Sequence, residues 1–138
     1  MSKRRAIALA GGGPAAAIVG AQHQEGQNLF SAIGCGTCHT PVLSADGVDI
    51  RLYSDLLLHD MGPALDDGVI QGSAKGKEWR TTPLWGLGSR TRFLHDGRAV
   101  SIMDAIFSHD GEAALTAKEF RQLTQAEKRA LLNFLSAL

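Results

Sequence analysis

Apolar residues recur at intervals of three and four near the start of the chain, a spacing that predicts a helix with one buried face. Residues 22–33 show it through Gly26, Leu29, Phe30 and Ile33. The sequence therefore predicts a helix that packs against the rest of the domain.

Three further helices are predicted towards the C-terminus. Residues 101–108 and 116–123 are short segments with apolar residues on one side. The run TQAE at 124–127 has the Thr-x-x-Glu spacing of a capping box, which marks a helix start. An apolar stripe then reaches the last residue, and it comprises Leu131, Phe134, Leu135 and Leu138.

The region between these helices has a weaker pattern. Residues 51–59 are rich in leucine, which fits either a short helix or a buried strand. Residues 62–98 are rich in glycine and form a long irregular region, which is unusual in a compact domain unless it wraps around something. No alternating pattern is strong enough to predict a sheet. The predicted class is therefore all-α with long connecting loops.

The composition is that of an ordinary globular domain. A chain of 138 residues suits a single domain with a substantial core. Its 14 basic residues balance its 14 acidic ones. Because no net positive charge favours nucleic acid or an acidic membrane surface, the sequence predicts neither as a partner.

Residues 1–21 resemble a secretory signal peptide. Lys3, Arg4 and Arg5 form a basic start, an apolar stretch follows, and small residues end it near Ala21. The alternative is a disordered leader, or the remnant of a longer gene. Glycines interrupt the stretch too often for a stable membrane span, which needs about 20 apolar residues. We expect residues 22–138 to form the domain, exported to the periplasm or to the outer face of the membrane.

The two cysteines of the chain lie in the motif Cys35-Gly-Thr-Cys38-His39. Two thiols at this spacing can reach the two vinyl groups of one haem and form thioether bonds, and the next histidine then faces the iron. The motif predicts one covalently bound haem c, attached through Cys35 and Cys38, with His39 as an axial iron ligand.

Two other uses of a Cys-x-x-Cys pair fit less well. A tetrahedral zinc site needs about four protein ligands, and the chain has no second cysteine pair. A thiol redox pair usually opens a helix that follows a strand, whereas here a predicted helix comes before Gly34. The redox pair stays open as an alternative hypothesis, a haem-free thiol module.

The motif leaves open which residue lies on the other side of the iron. Haem iron in electron carriers is usually held by His and Met or by two His. His23 lies in the helix that leads into the motif, and Met103 fits the packing of its own predicted helix, so both are weaker candidates. The full set of candidates is His23, His59, Met61, His95, Met103 and His109.

Three blocks of the chain together resemble one known family. They are residues 53–63 (YSDLLLHDMGP), 78–88 (EWRTTPLWGLG) and 93–98 (FLHDGR). In order and spacing they are similar to the di-haem oxidoreductases, the thiol oxidoreductase-like relatives of bacterial di-haem cytochrome c peroxidases. The resemblance runs from about Gly26 to Leu138 and corresponds to the C-terminal haem domain. It implies a cytochrome c-like fold with N- and C-terminal helices around the haem.

The resemblance also implies a distal ligand. In the related peroxidases the sixth ligand of that haem, usually Met, lies fourteen positions after the histidine of a block like 93–98; here that position is His109. The implied haem has two histidine ligands, His39 and His109. Met61 is the main alternative and His95 a further one.

The chain departs from the family in carrying one attachment motif where family members carry two haem domains. An iron with two axial ligands has no vacant position for a substrate. We therefore expect an electron-transfer cytochrome domain that works with a redox partner protein. The alternative is an enzyme, the haem domain of a peroxidase-like oxidoreductase that needs a companion haem domain.

Overall fold

The computed structural model describes residues 14–138, with side chains from residue 20 onward. The predicted N-terminal helix is confirmed but begins earlier than expected, and residues 1–13 of the predicted leader lie outside the described residues. No helix in residues 14–138 is long and apolar enough to cross a membrane. The helices of this range are α1 (Pro14–Ala32), α2 (Ile102–Phe107), α3 (Ala114–Gln122) and α4 (Gln125–Ser136).

Helices α1 and α4 pack in close contact, and Gly26 makes that contact possible. A Cβ atom at Gly26 would overlap the Ala130 carbonyl oxygen and the Phe134 Cβ. Any side chain at this position would therefore push the two helices apart. The absence of a side chain lets α1 lie directly on the backbone of α4.

The C-terminal helices confirm the predictions made for them. Helices α2 and α3 coincide with the predicted segments 101–108 and 116–123 to within two residues. Helix α4 begins with a reciprocal capping box, because the Thr124 hydroxyl accepts from the Glu127 amide and the Glu127 carboxylate accepts from the Thr124 amide. Leu131, Phe134 and Leu135 of its apolar stripe are buried, at 0% exposure for Leu131 and 1% for Phe134, whereas Leu138 lies beyond the end of the helix and is partly buried.

An aromatic cluster joins distant parts of the chain in the core. The rings of Phe30 in α1, Tyr53 in a loop and Phe134 in α4 meet edge to face, with centroids 5.6 to 6.0 Å apart. Each such pair contributes about 0.5–1.5 kcal/mol beyond the burial of its surface. Phe120 of α3 and Leu87 complete this core. The cluster thereby holds the loop around Tyr53 against the two long helices.

The all-α prediction is wrong, because the structure contains two small antiparallel sheets and is mixed α/β. The first sheet pairs β1 (Leu43–Ala45) with β2 (Val48–Ile50). Its turn, residues 46–47, has two positive φ angles of 50° and 78°, as a two-residue hairpin requires. The second sheet pairs β3 (Leu58–Asp60) with β4 (Glu78–Arg80). Strands of three residues are too short to show alternating polarity in the sequence.

The leucine-rich segment 51–59 is neither a helix nor a buried strand. Leu52 and Tyr53 are buried in an irregular turn, whereas Leu57 and Leu58 are 61% and 51% exposed. Only its last residues join a strand, β3. Leu52 and Tyr53 pack into the core, and hydrogen bonds such as the one from the Thr81 amide to the Leu57 carbonyl hold the rest of the segment.

Candidate haem-attachment site

The predicted attachment residues share one tight turn after α1. Cys35 begins a short 3₁₀ turn that ends at Thr37, and Cys38 and His39 follow directly. The His39 amide donates to the Cys35 carbonyl over 3.0 Å, which closes the turn. Both thiols are free and partly buried. The turn therefore presents two unpaired thiols and an imidazole within five consecutive residues.

His39 is held in the form that can bind a metal through Nε2. Its Nδ1 lies 2.9 Å from the Tyr53 carbonyl oxygen. Because a carbonyl only accepts, Nδ1 carries the proton, and a neutral ring then has its lone pair on Nε2. Burial lowers the pKa of His39 to about 4, against a smaller upward effect of the Tyr53 carbonyl. The ring is thus neutral and oriented at neutral pH, as a ligand histidine is.

The turn that supplies the Tyr53 carbonyl is itself pinned by buried hydrogen bonds. Ser54 is fully buried, and its hydroxyl donates to the Thr81 carbonyl over 2.7 Å and accepts from the Leu56 amide over 2.9 Å. The Asp55 amide donates to the Cys38 carbonyl over 2.9 Å. Tyr53 and Leu56 adopt positive φ angles of 53° and 61°, a conformation that only such bonding holds for bulky residues.

His109 has the same arrangement as His39. It follows α2, and its Nδ1 lies 2.7 Å from the Ala105 carbonyl oxygen, which again leaves the lone pair on Nε2. Burial lowers the pKa of His109, so this ring is also neutral. Coordination of the iron by His109 stays a prediction.

His59 is not available as an iron ligand. Its Nε2 lies 2.8 Å from an Asp55 carboxylate oxygen and its Nδ1 lies 2.8 Å from a Glu112 carboxylate oxygen. Both nitrogens donate, because a carboxylate only accepts. The hydrogen bond to Glu112, and after it the one to Asp55, raise the pKa of His59 in spite of partial burial. The ring is a charged bridge between two acidic residues.

Among the other distal candidates, the rings of His95 and His23 contact aromatic side chains. The His95 ring stacks on Trp79 with centroids 3.6 Å apart and an angle of 10° between planes. The His23 ring meets Phe134 edge to face on α1. Met61 follows β3, where its amide donates to the Lys77 carbonyl over 2.9 Å. Met61 stays the alternative to His109.

The thiols are poorly suited to thiol redox chemistry. Burial raises the pKa of Cys35 to about 12, and burial together with the charges of Asp55 and Glu112 raises the pKa of Cys38. Reactive Cys-x-x-Cys pairs instead have lowered pKa values. Cys38, Asp55 and His59 have ligand atoms within 4.8 Å of one another, but these are three donors where a structural zinc needs about four.

The donor set fits a c-type haem. Two unpaired thiols stand on one turn, and a neutral histidine follows them with Nε2 free. His109 is a second neutral histidine with its Nε2 free. Cys35 and Cys38 would hold the porphyrin, and His39 would hold the iron. Sequence reasoning missed three residues that support them: Tyr53, Asp55 and Glu112. No motif marks Tyr53, since it acts through its backbone carbonyl.

Comparison with known proteins agrees with this donor set. Residues 12–138 match the family model described as "Di-haem oxidoreductase, putative peroxidase". Searches of curated proteins and of solved structures found no match. The matched range includes the Cys35–His39 motif, the turn around Tyr53 and His109. By the family's description, its members share haem binding and oxidoreductase chemistry. The chain belongs to the di-haem oxidoreductase family.

Proposed function

We propose that this chain is a c-type cytochrome domain of its family, carrying one covalent haem and transferring electrons. Cys35 and Cys38 attach the haem, and His39 and His109 are the two axial ligands. One observation carries the proposal: both histidines are neutral and donate Nδ1–H to a backbone carbonyl, over 2.9 and 2.7 Å. Ligand histidines are oriented in this way in metal sites generally.

Electron transfer follows from the number of ligands. The haem, when bound, supplies reversible one-electron exchange at its iron. Two histidines leave that iron without a vacant position for a substrate. The carbonyls of Tyr53 and Ala105 accept from the two rings and hold them in fixed orientations.

A second candidate is a peroxidase-like enzyme, and the family description favours it. Di-haem chemistry divides the work between an iron that binds the substrate and one that passes electrons. This chain has one attachment motif, so a companion haem domain would have to supply the other iron. In that arrangement the present domain is the electron-passing half.

The proposal also places the protein outside the cytoplasm, in the periplasm. It rests on the basic and apolar pattern of residues 1–21, which is typical of secretory signals. A redox partner protein there would exchange electrons with the haem. Fractionation of cells that express the full chain tests this: haem-containing protein in the cytoplasmic fraction alone would contradict it.

The test is an absorption spectrum of the matured protein with its variants His109→Ala and Met61→Leu. We expect six-coordinate, low-spin iron in both oxidation states for the parent protein and for Met61→Leu. His109→Ala should turn the ferric iron high-spin, because it removes the sixth ligand. A change in Met61→Leu alone would assign the ligand to Met61, and an unchanged spectrum in both variants would contradict the proposal.

Covalent attachment has a separate test. The mass of the mature chain should rise by one haem, and the Cys35→Ser/Cys38→Ser double variant should lose this increase. A haem-free thiol module would show no haem absorption even when it matures alongside haem-attachment enzymes. High-spin ferric iron that reacts with hydrogen peroxide in the parent protein would instead support the enzyme.

A further inference from the structure

His59 joins the two parts of the chain that carry the axial histidines. Its side chain is 17% exposed and lies between Asp55, 16% exposed, and Glu112, 55% exposed. Both contacts measure 2.8 Å and pair a charged imidazolium with a carboxylate. Charge-assisted hydrogen bonds of this length are roughly twice as strong as neutral ones. We call Asp55, His59 and Glu112 the carboxylate clamp.

The Asp55 end of the clamp belongs to the His39 side. The Asp55 amide donates to the Cys38 carbonyl. Asp55 is two residues after Tyr53, whose carbonyl accepts from His39. The His59 ring also lies beside the attachment residue itself, with 3.7 Å between its Nδ1 and the Cys38 Sγ. A displacement of Asp55 would therefore disturb both Cys38 and the orientation of the His39 ring.

The Glu112 end belongs to the His109 side. Glu112 is three residues after His109, in a 3₁₀ turn (Gly111–Ala113). Its second carboxylate oxygen accepts from the Asp60 amide over 2.9 Å. Gly111, at φ 57°, is so close to the Asp60 carbonyl that a Cβ there would overlap it. The segment after His109 is therefore seated directly on β3.

Apolar packing of this segment is partial: Ile102 and Ile106 pack against the core, and the Phe107 ring meets Phe120 edge to face. Neither α2 nor the turn Gly111–Ala113 has a fully buried residue. Apolar burial therefore contributes less here than in α4, and the position of His109 depends more on hydrogen bonds from its neighbours. Of the two bonds in the clamp, the one from His59 to Glu112 joins the segment after His109 to β3, and the local one from His59 to Asp55 links β3 to the turn that supplies the Tyr53 carbonyl.

We propose that His59 is a positioning residue that, through Glu112 and Asp55, keeps the His109 imidazole in place opposite His39. The inference rests on the proposed function, because it takes His109 as the distal ligand. Without the clamp the chain still folds around its aromatic core, but His109 leaves its position more often. An external ligand then reaches the haem more readily.

The experiment measures cyanide binding to the ferric holoprotein, because cyanide enters only when the distal ligand has left. His59→Gln is uncharged and has its N–H donors on a single nitrogen, so it cannot reproduce two charge-assisted bonds from separate ring nitrogens. We expect this variant to bind cyanide roughly tenfold faster. Loss of a group that supports a metal ligand typically changes metal affinity or activity by about 10- to 100-fold, and tenfold is the lower end of that range. Lys77→Gln is the matched control: it removes the Lys77–Asp60 ion pair beside the clamp and should change the rate by less than about twofold.

Glu112→Gln is the second variant, and it retains the contact between His59 and Asp55. We expect it to speed cyanide binding as well. The double variant His59→Gln/Glu112→Gln should be no faster than the faster single variant, since both changes break the same bridge. If His59→Gln does not fold, Glu112→Gln decides alone. The free energy of unfolding, measured in parallel, shows whether a variant has simply lost stability.

The outcomes separate the two proposals. If the parent protein is high-spin, or His109→Ala leaves its spectrum unchanged, the proposed function has failed. If His109→Ala turns high-spin while the clamp variants bind cyanide at the parental rate, the proposed function stands and the role of His59 is overturned. Faster cyanide binding in the clamp variants, with the Lys77→Gln rate unchanged, supports the role of His59 as a positioning residue.

Discussion

Helices α1 and α4, here called the helical part, and the segments that carry the candidate site are held in place in different ways. Helix α4 buries four residues: Ala130, Leu131, Phe134 and Leu135. The turn Cys35–Thr37, helix α2 and the turn Gly111–Ala113 bury none completely. In these segments Cys35, Ile102 and Ile106 pack against the core while only partly buried, and hydrogen bonds to backbone carbonyls and within the carboxylate clamp orient the site residues.

This difference separates stability from site geometry. Apolar burial is non-directional, so the helical part tolerates small shifts and still contributes its free energy. Hydrogen bonds depend on distance and angle, so they can fix which nitrogen of an imidazole faces a metal. We expect the site segments to open at a lower free energy than α1 and α4.

The largest effect is expected in the helical part, from Phe134→Ala. Phe134 is 1% exposed and contacts both Phe30 and Tyr53. Its truncation should lower the free energy of unfolding by about 3–5 kcal/mol, measured by urea denaturation. Leu115→Ala, at a site in α3 that is 67% exposed, is the control and should change it by about 0.5 kcal/mol or less. Equal losses in both variants would contradict this view of the core.

A smaller effect is expected from Ser54→Ala, which tests the hydrogen bonds of the site. The change leaves the buried Thr81 carbonyl and Leu56 amide without the partner they have in Ser54. An unpaired buried group costs about 1–3 kcal/mol, which thermal or urea denaturation resolves. Ser31→Ala, in an exposed position on α1, should stay within about 0.5 kcal/mol. An unchanged Ser54→Ala protein would show that the turn around Tyr53 does not depend on this residue.

The smallest effect is a pH dependence of the carboxylate clamp. Glu112 and then Asp55 raise the pKa of His59 above its ordinary value of 6.5. The folded state therefore binds this proton more tightly than the unfolded state, and the resulting stability is full below pH 6.5 and is lost as pH rises through the raised pKa. The hydrogen bond from His59, and next the Asp60 amide, lower the pKa of Glu112 below 4.5, so its contribution is lost in acid.

The stability difference between the parent protein and His59→Gln should therefore be largest between about pH 4.5 and 6.5. It should shrink towards alkaline and towards strongly acidic pH. Denaturation of both proteins across this range measures it. A difference that stays constant with pH would show that His59 does not carry a proton between its two carboxylates.

The sequence predicted the helices well because their signals are local. The capping box at 124–127 and the apolar stripe of α4 depend on residues three and four apart, and both are confirmed. The sheets were missed because three-residue strands contain too few positions to show a period. The turn at 46–47 was the one local signal for β1 and β2, whereas β3 and β4 join segments that are far apart in the chain.

The candidate site shows the same division between local and long-range features. By itself the sequence determined the attachment motif and the family, because two thiols and a histidine at fixed spacing are a local chemical pattern. Only the tertiary structure decided that His59 bridges two carboxylates and that the Tyr53 carbonyl orients His39. The contacts of His39 with Tyr53 and of His59 with Glu112 join residues 14 and 53 positions apart, and a backbone carbonyl, which every residue has, carries no signal of its role until the chain has folded.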